Sequence, residues 1–433
     1  MSDIELERRT LRRVNWRILP FVLLLYIIAM IDRTNVGFAA LQMNEDLGFS
    51  ASVYGFGAGV FFLGYALFEV PSNLILARVG ARRWIARILF TWGVLATAMM
   101  FVNNATTFYI LRFLLGVAEA GFLPGILYYL SHWYPSAQRA QAVAWFMIGI
   151  PLAQVIGAPL AGLLLGLDGL YGLHGWQWMY LIEGLPAVLL TGAVLKLLTD
   201  SPEQAAWLAP AEREWLASRI KAEHALAATR HSHSVKDALL HPVVWALAFL
   251  AFAFQTGSYG LQFWTPQIVS QWSGLDPLGV GLVTAIPYLA AAIGMILIGR
   301  SSDRTGERFL HIALPTFVGA AGFVAAGFIV SPVLGVLALT VAAVGDMGTR
   351  GPFWSLPTRF LTAAASAGGI ALINTIGSLG GFVGPYAVGL VKDATGLYAG
   401  GLFLMAGLLT LGGLTALLLR RRAELQPVTA SGH

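Results

Sequence analysis

The chain has 433 residues, of which 57% are hydrophobic and only 11% charged, against roughly 25% charged in soluble domains. So little polar surface cannot cover a water-facing globule, which excludes a soluble protein. With no cysteine and a formal charge of +5, disulfides and thiolate metal sites are excluded as well, and no nucleic-acid partner is needed once membrane orientation accounts for the charge.

Twelve apolar stretches follow, each near the roughly 20 residues that cross about 30 Å of hydrocarbon. They run from Ile18 to Ala40, Val53 to Ala77, Trp84 to Val102, Phe108 to Leu130, Ala142 to Leu165, Trp178 to Leu198, Val243 to Val269, Gly279 to Gly299, Ile312 to Ile329, Leu334 to Leu356, Ala364 to Leu390 and Tyr398 to Leu419. The first is too long for a cleaved signal peptide, and no small-x-small site follows it. The 49 glycines and 19 prolines suit a membrane bundle, where glycine permits close helix approach and broken helices can line a cavity.

Basic residues orient the spans. Arg8, Arg9, Arg12, Arg13 and Arg17 precede span one, Arg78, Arg82 and Arg83 follow span two, and Arg139 follows span four. Arg300, Arg304 and Arg308 follow span eight, Arg359 follows span ten, and Arg420, Arg421 and Arg422 end span twelve. All fall on one side, whereas the opposite loops hold mainly Glu45, Asp46, Asp168, Asp276, Lys392 and Asp393. Both termini are therefore expected in the cytoplasm of a multi-pass cell (inner) membrane protein.

One long polar segment separates six spans from six, giving bundles at 1–198 and 242–433 joined by a linker at 199–241. Within it, Trp207, Leu208, Trp215, Leu216 and Ile220 recur among charges, which predicts one or two short amphipathic helices at the cytoplasmic interface. His224, His231 and His233 have no carboxylate cluster beside them and are not read as a metal site.

The halves repeat. "NLILARVGARR" follows span two and "GRSSDRTGERF" follows span eight, with Gly80 and Gly306 226 positions apart. A similar offset separates "YPSAQRA" from "LPTRFLTA". Six plus six spans with such a repeat fit alternating access around a mid-membrane site.

These loops resemble the signature of the major facilitator superfamily. The second copy matches at Gly299, Asp303, Arg304, Gly306 and Arg308, while the first has Asn73 and Ala77 in place of the signature glycine and aspartate. The stretches "DRTNVGFA", "FFLGYALFEVPSNLIL", "RFLLGVAEAGFLPGILYYLSHWYP", "GWQWMYLIEGLPA", "FWTPQIV", "GPFWSLPTRFL" and "ALINTIGSLGGFVGPYAVG" resemble the anion:cation symporter family within it. The resemblance implies an all-α membrane protein, with twelve transmembrane helices in two pseudo-symmetric six-helix bundles and the major facilitator fold. It also implies carriage of organic anions such as hexonates, tartrate, phthalates or hydroxyphenylacetate.

Charge inside an apolar helix is the main functional signal, because each such residue costs roughly 2.5–3.5 kcal/mol on insertion scales. Asp32 and Glu119 are candidate proton-coupling carboxyls, since burial and a neighbouring guanidinium act on a carboxyl in opposite directions. A static ion pair is the structural alternative for both. Arg33 offers a planar fork to a substrate carboxylate; on a helix it cannot point the way Asp32 does, so Asp32 is expected to face a neighbouring helix. Arg112, seven positions before Glu119, serves either the cavity or packing. The resemblance places substrate-binding groups near Tyr65, Gln154 and Asn374, each of which could instead form an interhelical hydrogen bond. Tyr259, Gln262 and Trp264 are aromatic-lining or gate candidates, with helix packing as the alternative. Asp346 and Arg350, four apart, suggest an intrahelical pair that serves as a gate or stabilises its span. Glu69 and Glu183, before Pro71 and Pro186, read as structural groups near the membrane ends.

The sequence contains neither cysteine nor H-E-x-x-H, which argues against an enzyme, and a passive channel lacks a repeated filter. A receptor would carry a signalling domain. The expectation is a monomeric secondary transporter that imports a small organic carboxylate with a co-transported proton. It is surrounded by membrane lipid and uses no cofactor. Its substrate is expected to be a hydroxylated acid such as tartrate or a sugar acid, with an aromatic acid as the alternative. An organic-anion uniporter or exchanger is the rival mechanism.

Overall fold

The computed structural model describes residues 3–228, 241–329, 331–357 and 363–425. Arg359, His231, His233 and part of "LPTRFLTA" lie outside the described residues. The first half comprises α1 (Asp3–Thr34), α2 (Val36–Asp46), α3 (Ala51–Val79), α4 (Ala81–Ala98), α5 (Ala105–Glu119), α6 (Phe122–Ser131), α7 (Ser136–Met147), α8 (Gly149–Leu165) and α9 (Gly175–Leu197). After α10 (Pro210–Ala228) come α11 (Pro242–Ser273), α12 (Pro277–Thr305), α13 (Leu310–Phe328), α14 (Pro332–Met347), α15 (Arg350–Trp354), α16 (Ala363–Thr395) and α17 (Ala399–Leu425).

Twelve helical spans are long and apolar enough to cross a membrane. Each is partly buried within the protein, and large apolar side chains stay outward: Leu67, Leu189, Leu297 and Leu418 are all more than half exposed. Such a surface suits hydrocarbon, where a helix satisfies its own backbone.

Four spans that the hydropathy pattern predicts as continuous are interrupted, at Asn35, Ala120–Gly121, Ile148 and Gly348–Thr349. Prolines explain three. Pro124, Pro151 and Pro352 lack the N–H that would bond the carbonyl four residues earlier, at Ala120, Met147 and Gly348. Only the Gly121 break turns sharply, with φ at +85°, a conformation that favours glycine. Proline alone does not decide the matter, because α3 and α9 run through Pro71 and Pro186.

The chain clusters into two compact units, Met1–Gly48 with Val60–His231, and Phe49–Gly59 with Ser232–His433. In the second unit, Asp393 accepts from the backbone N–H groups of Ala51 and Ser52, at 2.9 Å each, and so caps α3. In the first, α10 is a helix of the polar segment that packs against α1. Its Glu212, 1% exposed, is ion-paired with Arg9 Nε at 2.9 Å and accepts from Arg13 Nη1 at 2.7 Å. Trp207 stacks on Trp133 with ring centroids 5.4 Å apart, and Leu208, Leu216 and Ile220 are buried. The apolar stripe is thus covered by protein.

Candidate functional site

Of the twelve candidate residues, Asp32, Arg33, Tyr65, Arg112, Glu119 and Gln154 lie in the first unit, and Tyr259, Gln262, Trp264, Asp346, Arg350 and Asn374 in the second.

Three of the first group, Asp32, Arg33 and Glu119, lie at helix interruptions. α1 carries Asp32 and Arg33 in its last turn, and α5 ends on Glu119, directly before the Ala120–Gly121 break. Arg33 Nη2 forms a buried ion pair with Glu119 Oε1, while Glu119 Oε2 has no protein hydrogen bond. The Arg33 guanidinium carbon lies 5.3 Å from the Phe61 ring centroid and 5.1 Å from that of Tyr65. That of Arg112 lies 5.0 Å from Phe61. Two guanidiniums therefore share one aromatic face region, an arrangement favoured by the ring quadrupole and strengthened by desolvation. Arg112 is 1% exposed, and its charge acts on Glu119, as two turns of helix along one face require.

Close backbone approach puts Phe61 and Tyr65 there. Gly64 of α3 lies against the Phe113 carbonyl and Gly116 of α5 against the Phe61 carbonyl, where an added Cβ would overlap the oxygen. Small residues at a membrane-helix interface permit this spacing.

Asp32 is 1% exposed and takes no part in the Arg33–Glu119 ion pair. The charges of Glu183 and Glu119 act on it, and the Trp92 indole of α4 lies beside it. Neither Asp32 oxygen, nor Trp92 Nε1, completes a hydrogen bond of normal geometry.

Glu183 requires a correction. Its place before Pro186 suggests a structural cap near a membrane end, but it lies well inside α9, 4% exposed and close to Asp32. Asn35 lies beside it, yet both Glu183 oxygens and Asn35 Oδ1 lack a completed hydrogen bond. A signal is present in the sequence: "MYLIEGLPA" sets this acid among apolar residues, as "YIIAMID" sets Asp32. The adjacent proline points instead to a structural role. Gln154 is 4% exposed on α8, and its Nε2 has no hydrogen bond; no hydrogen bond joins it to the Arg33 group.

In the second unit Asp346 and Arg350 flank the Gly348 interruption, 3.7 Å apart. Ser258 of α11 donates to Asp346 Oδ2 and accepts from Arg350 Nη2 at 2.6 Å. Arg350 Nη1 also donates to Gln255 Oε1 at 3.1 Å. Ser258 and Gln255 do not stand out in the sequence, where hydroxyl and amide groups on a long helix carry no mark of their partners.

Trp264 is fully buried, its Nε1 donating to the Pro385 carbonyl at 3.1 Å and its ring edge-on to Tyr54 at 4.9 Å. That geometry serves helix packing. Tyr259, half-buried, stacks on Phe263 at 5.8 Å. Gln262 is buried further along α11. Asn374 is half-buried on α16, its carbonyl accepting from Ser378 Oγ at 2.9 Å. Among the described residues, no cluster of His, Asp and Glu is arranged to hold a metal ion.

Residues 22–385 match the family model described as Major Facilitator Superfamily. The chain is 51% identical over 431 residues, 99% of its length and 96% of the relative's, to an Agrobacterium vitis protein named "Putative tartrate transporter". It is 44% identical over 397 residues, 91% of each chain, to the "Quinolone resistance transporter" of Acinetobacter baumannii. Its fold is similar to that of a bacterial homologue of the human lysosomal transporter Spinster, with a TM-score of 0.79, 18% identity, and coverage of 94% of this chain and 97% of that one. With twelve membrane-length helices and a family match spanning most of its length, the chain belongs to the Major Facilitator Superfamily of membrane transporters.

Proposed function

We propose that this transporter imports a small organic carboxylate by proton symport, with the buried Arg33–Glu119 pair as the exchange point. A substrate carboxylate and Glu119 compete for one guanidinium fork. Protonation of Glu119 releases Arg33 to the substrate, and loss of the proton restores the internal pair. Asp32 is a second protonation site. The six-span bundles at 1–198 and 242–433, tied by 199–241, act as the two repeats of alternating access in a monomer. Both termini face the cytoplasm of the inner membrane, as the one-sided arginines indicate, and the co-transported proton takes the place of any cofactor.

The substrate class we favour is a hydroxylated acid. The name of the Agrobacterium vitis relative supports it, as does the amide of Gln154 in the first unit, which offers a donor and an acceptor to hydroxyl groups. An aromatic acid is the second reading, favoured by the Phe61 and Tyr65 rings beside Arg33. Uptake of labelled tartrate, a hexonate and phthalate into proteoliposomes, with and without an imposed pH gradient, tests both levels. Symport predicts accumulation that follows the gradient and collapses with a protonophore. It also predicts voltage sensitivity whenever more than one proton enters per monovalent acid. Saturable uptake indifferent to gradient and protonophore would leave a uniporter or exchanger instead.

A further inference from the structure

The Arg33–Glu119 pair leaves part of the first unit's charge unbalanced. Around it lie three buried carboxyls, Asp32, Glu119 and Glu183, and two buried guanidiniums, Arg33 and Arg112. Glu69, also buried, adds to the negative side and acts on Tyr65. Fully ionised, the group would hold more negative than positive charge where an uncompensated buried ion costs several kcal/mol.

The geometry locates the excess. Both guanidiniums act on Glu119, whereas the charges acting on Asp32 are those of the carboxyls Glu183 and Glu119. Both oxygens of Asp32 and of Glu183, Asn35 Oδ1, Trp92 Nε1 and the Tyr180 hydroxyl are buried without a completed protein hydrogen bond. Buried polar atoms are normally satisfied, so such a concentration calls for a physical reason. They come from the end of α1, from α4 and from α9, which packs against both. α8, also packed on α9, has no charged residue. α2 brings Asp46 only to the start of α9, where it accepts from Trp176 Nε1 at 2.7 Å. The titratable groups that act with the two acids are thus Glu119, on Asp32, and Tyr180, on both, while the Arg33 and Arg112 guanidiniums act on Glu119.

We propose that the two buried acids Asp32 and Glu183 together hold one proton, separate from the Arg33–Glu119 pair, and that Glu183 takes part in proton coupling. With one of the two acids neutral, they occupy the site with a single negative charge between them. The role in transport rests on the symport reading above; the shared proton does not.

Infrared spectroscopy of the full chain in lipid nanodiscs at neutral pH reads that proton through the protonated-carboxyl C=O band and its shift in D2O. The wild type should show the band, Glu119→Gln should keep it, and the Asp32→Asn/Glu183→Gln double variant should lose it. Asp32→Asn alone should alter its frequency, which keeps the test open if the double variant fails to fold. A band absent from the wild type, or unchanged in the double variant, overturns the proposal. In proteoliposomes Glu183→Gln should lose gradient-driven accumulation and Glu183→Asp should recover it, a rescue that loss of packing would not produce. Proton-driven wild-type uptake with a band indifferent to Asp32 and Glu183 rejects the pair and leaves symport standing. A band that depends on both residues, in a protein whose uptake ignores the gradient, does the reverse.

Discussion

The two units build the same local element and set it to different uses. Glu119 stands two residues before Gly121 and Asp346 two residues before Gly348, 227 positions apart in each case, close to the offset of the repeat. Each acid lies at a helix interruption with a proline shortly after it. In the first unit the arginine arrives from another helix, and the surrounding carboxyls outnumber the guanidiniums. In the second, Arg350 lies on the same span, and Ser258 and Gln255 hold it from α11. The first arrangement can change partner with protonation; the second is balanced and cross-linked. A repeated backbone feature therefore does not fix the role of the acid it carries, because the charge balance around it does.

The largest expected difference is in coupling. Asp32→Asn and Glu119→Gln keep shape and remove titration, and should abolish gradient-driven accumulation in proteoliposomes, whereas Asp346→Asn should retain it. Loss in all three would make the second cluster an active partner and break the contrast. Next comes stability: Glu119→Ala leaves buried arginine charge without its carboxylate and should cost about 3–5 kcal/mol, read as a fall in thermal unfolding temperature in detergent. Asp346→Ala should cost less, since Arg350 keeps its Gln255 and Ser258 contacts and its side chain is 22% exposed.

A smaller effect separates the arginines. Arg33→Lys keeps charge but loses the fork, and should weaken substrate binding by about 1.5–3 kcal/mol, roughly ten- to a hundredfold. Arg350→Lys should stay within about 0.5 kcal/mol; ligand-dependent thermal shifts measure both. The smallest is Ser258→Ala, expected to cost about 1 kcal/mol of stability through its lost hydrogen bonds. A near-zero cost in the same melting assay would show that the second cluster does not depend on that bridge.

Hydropathy is a transfer free energy that accumulates along the chain, so the twelve spans, the all-helical class and the charged residues worth asking about are legible in the amino-acid sequence alone. So is the angular separation of Asp32 from Arg33, which follows from helical pitch. Pairing is not. Arg33 and Glu119 are 86 positions apart, and nothing in either stretch states which helices meet. Glu183 reads as a terminal group beside a proline, whereas packing of α9 against α1 and α4 brings it close to Asp32 in the interior. Whether a buried acid is balanced or in excess depends on the sum of charges within a few ångströms, a sum taken over side chains from several helices. Sequence supplies its members one at a time; only tertiary structure decides which of them are counted together.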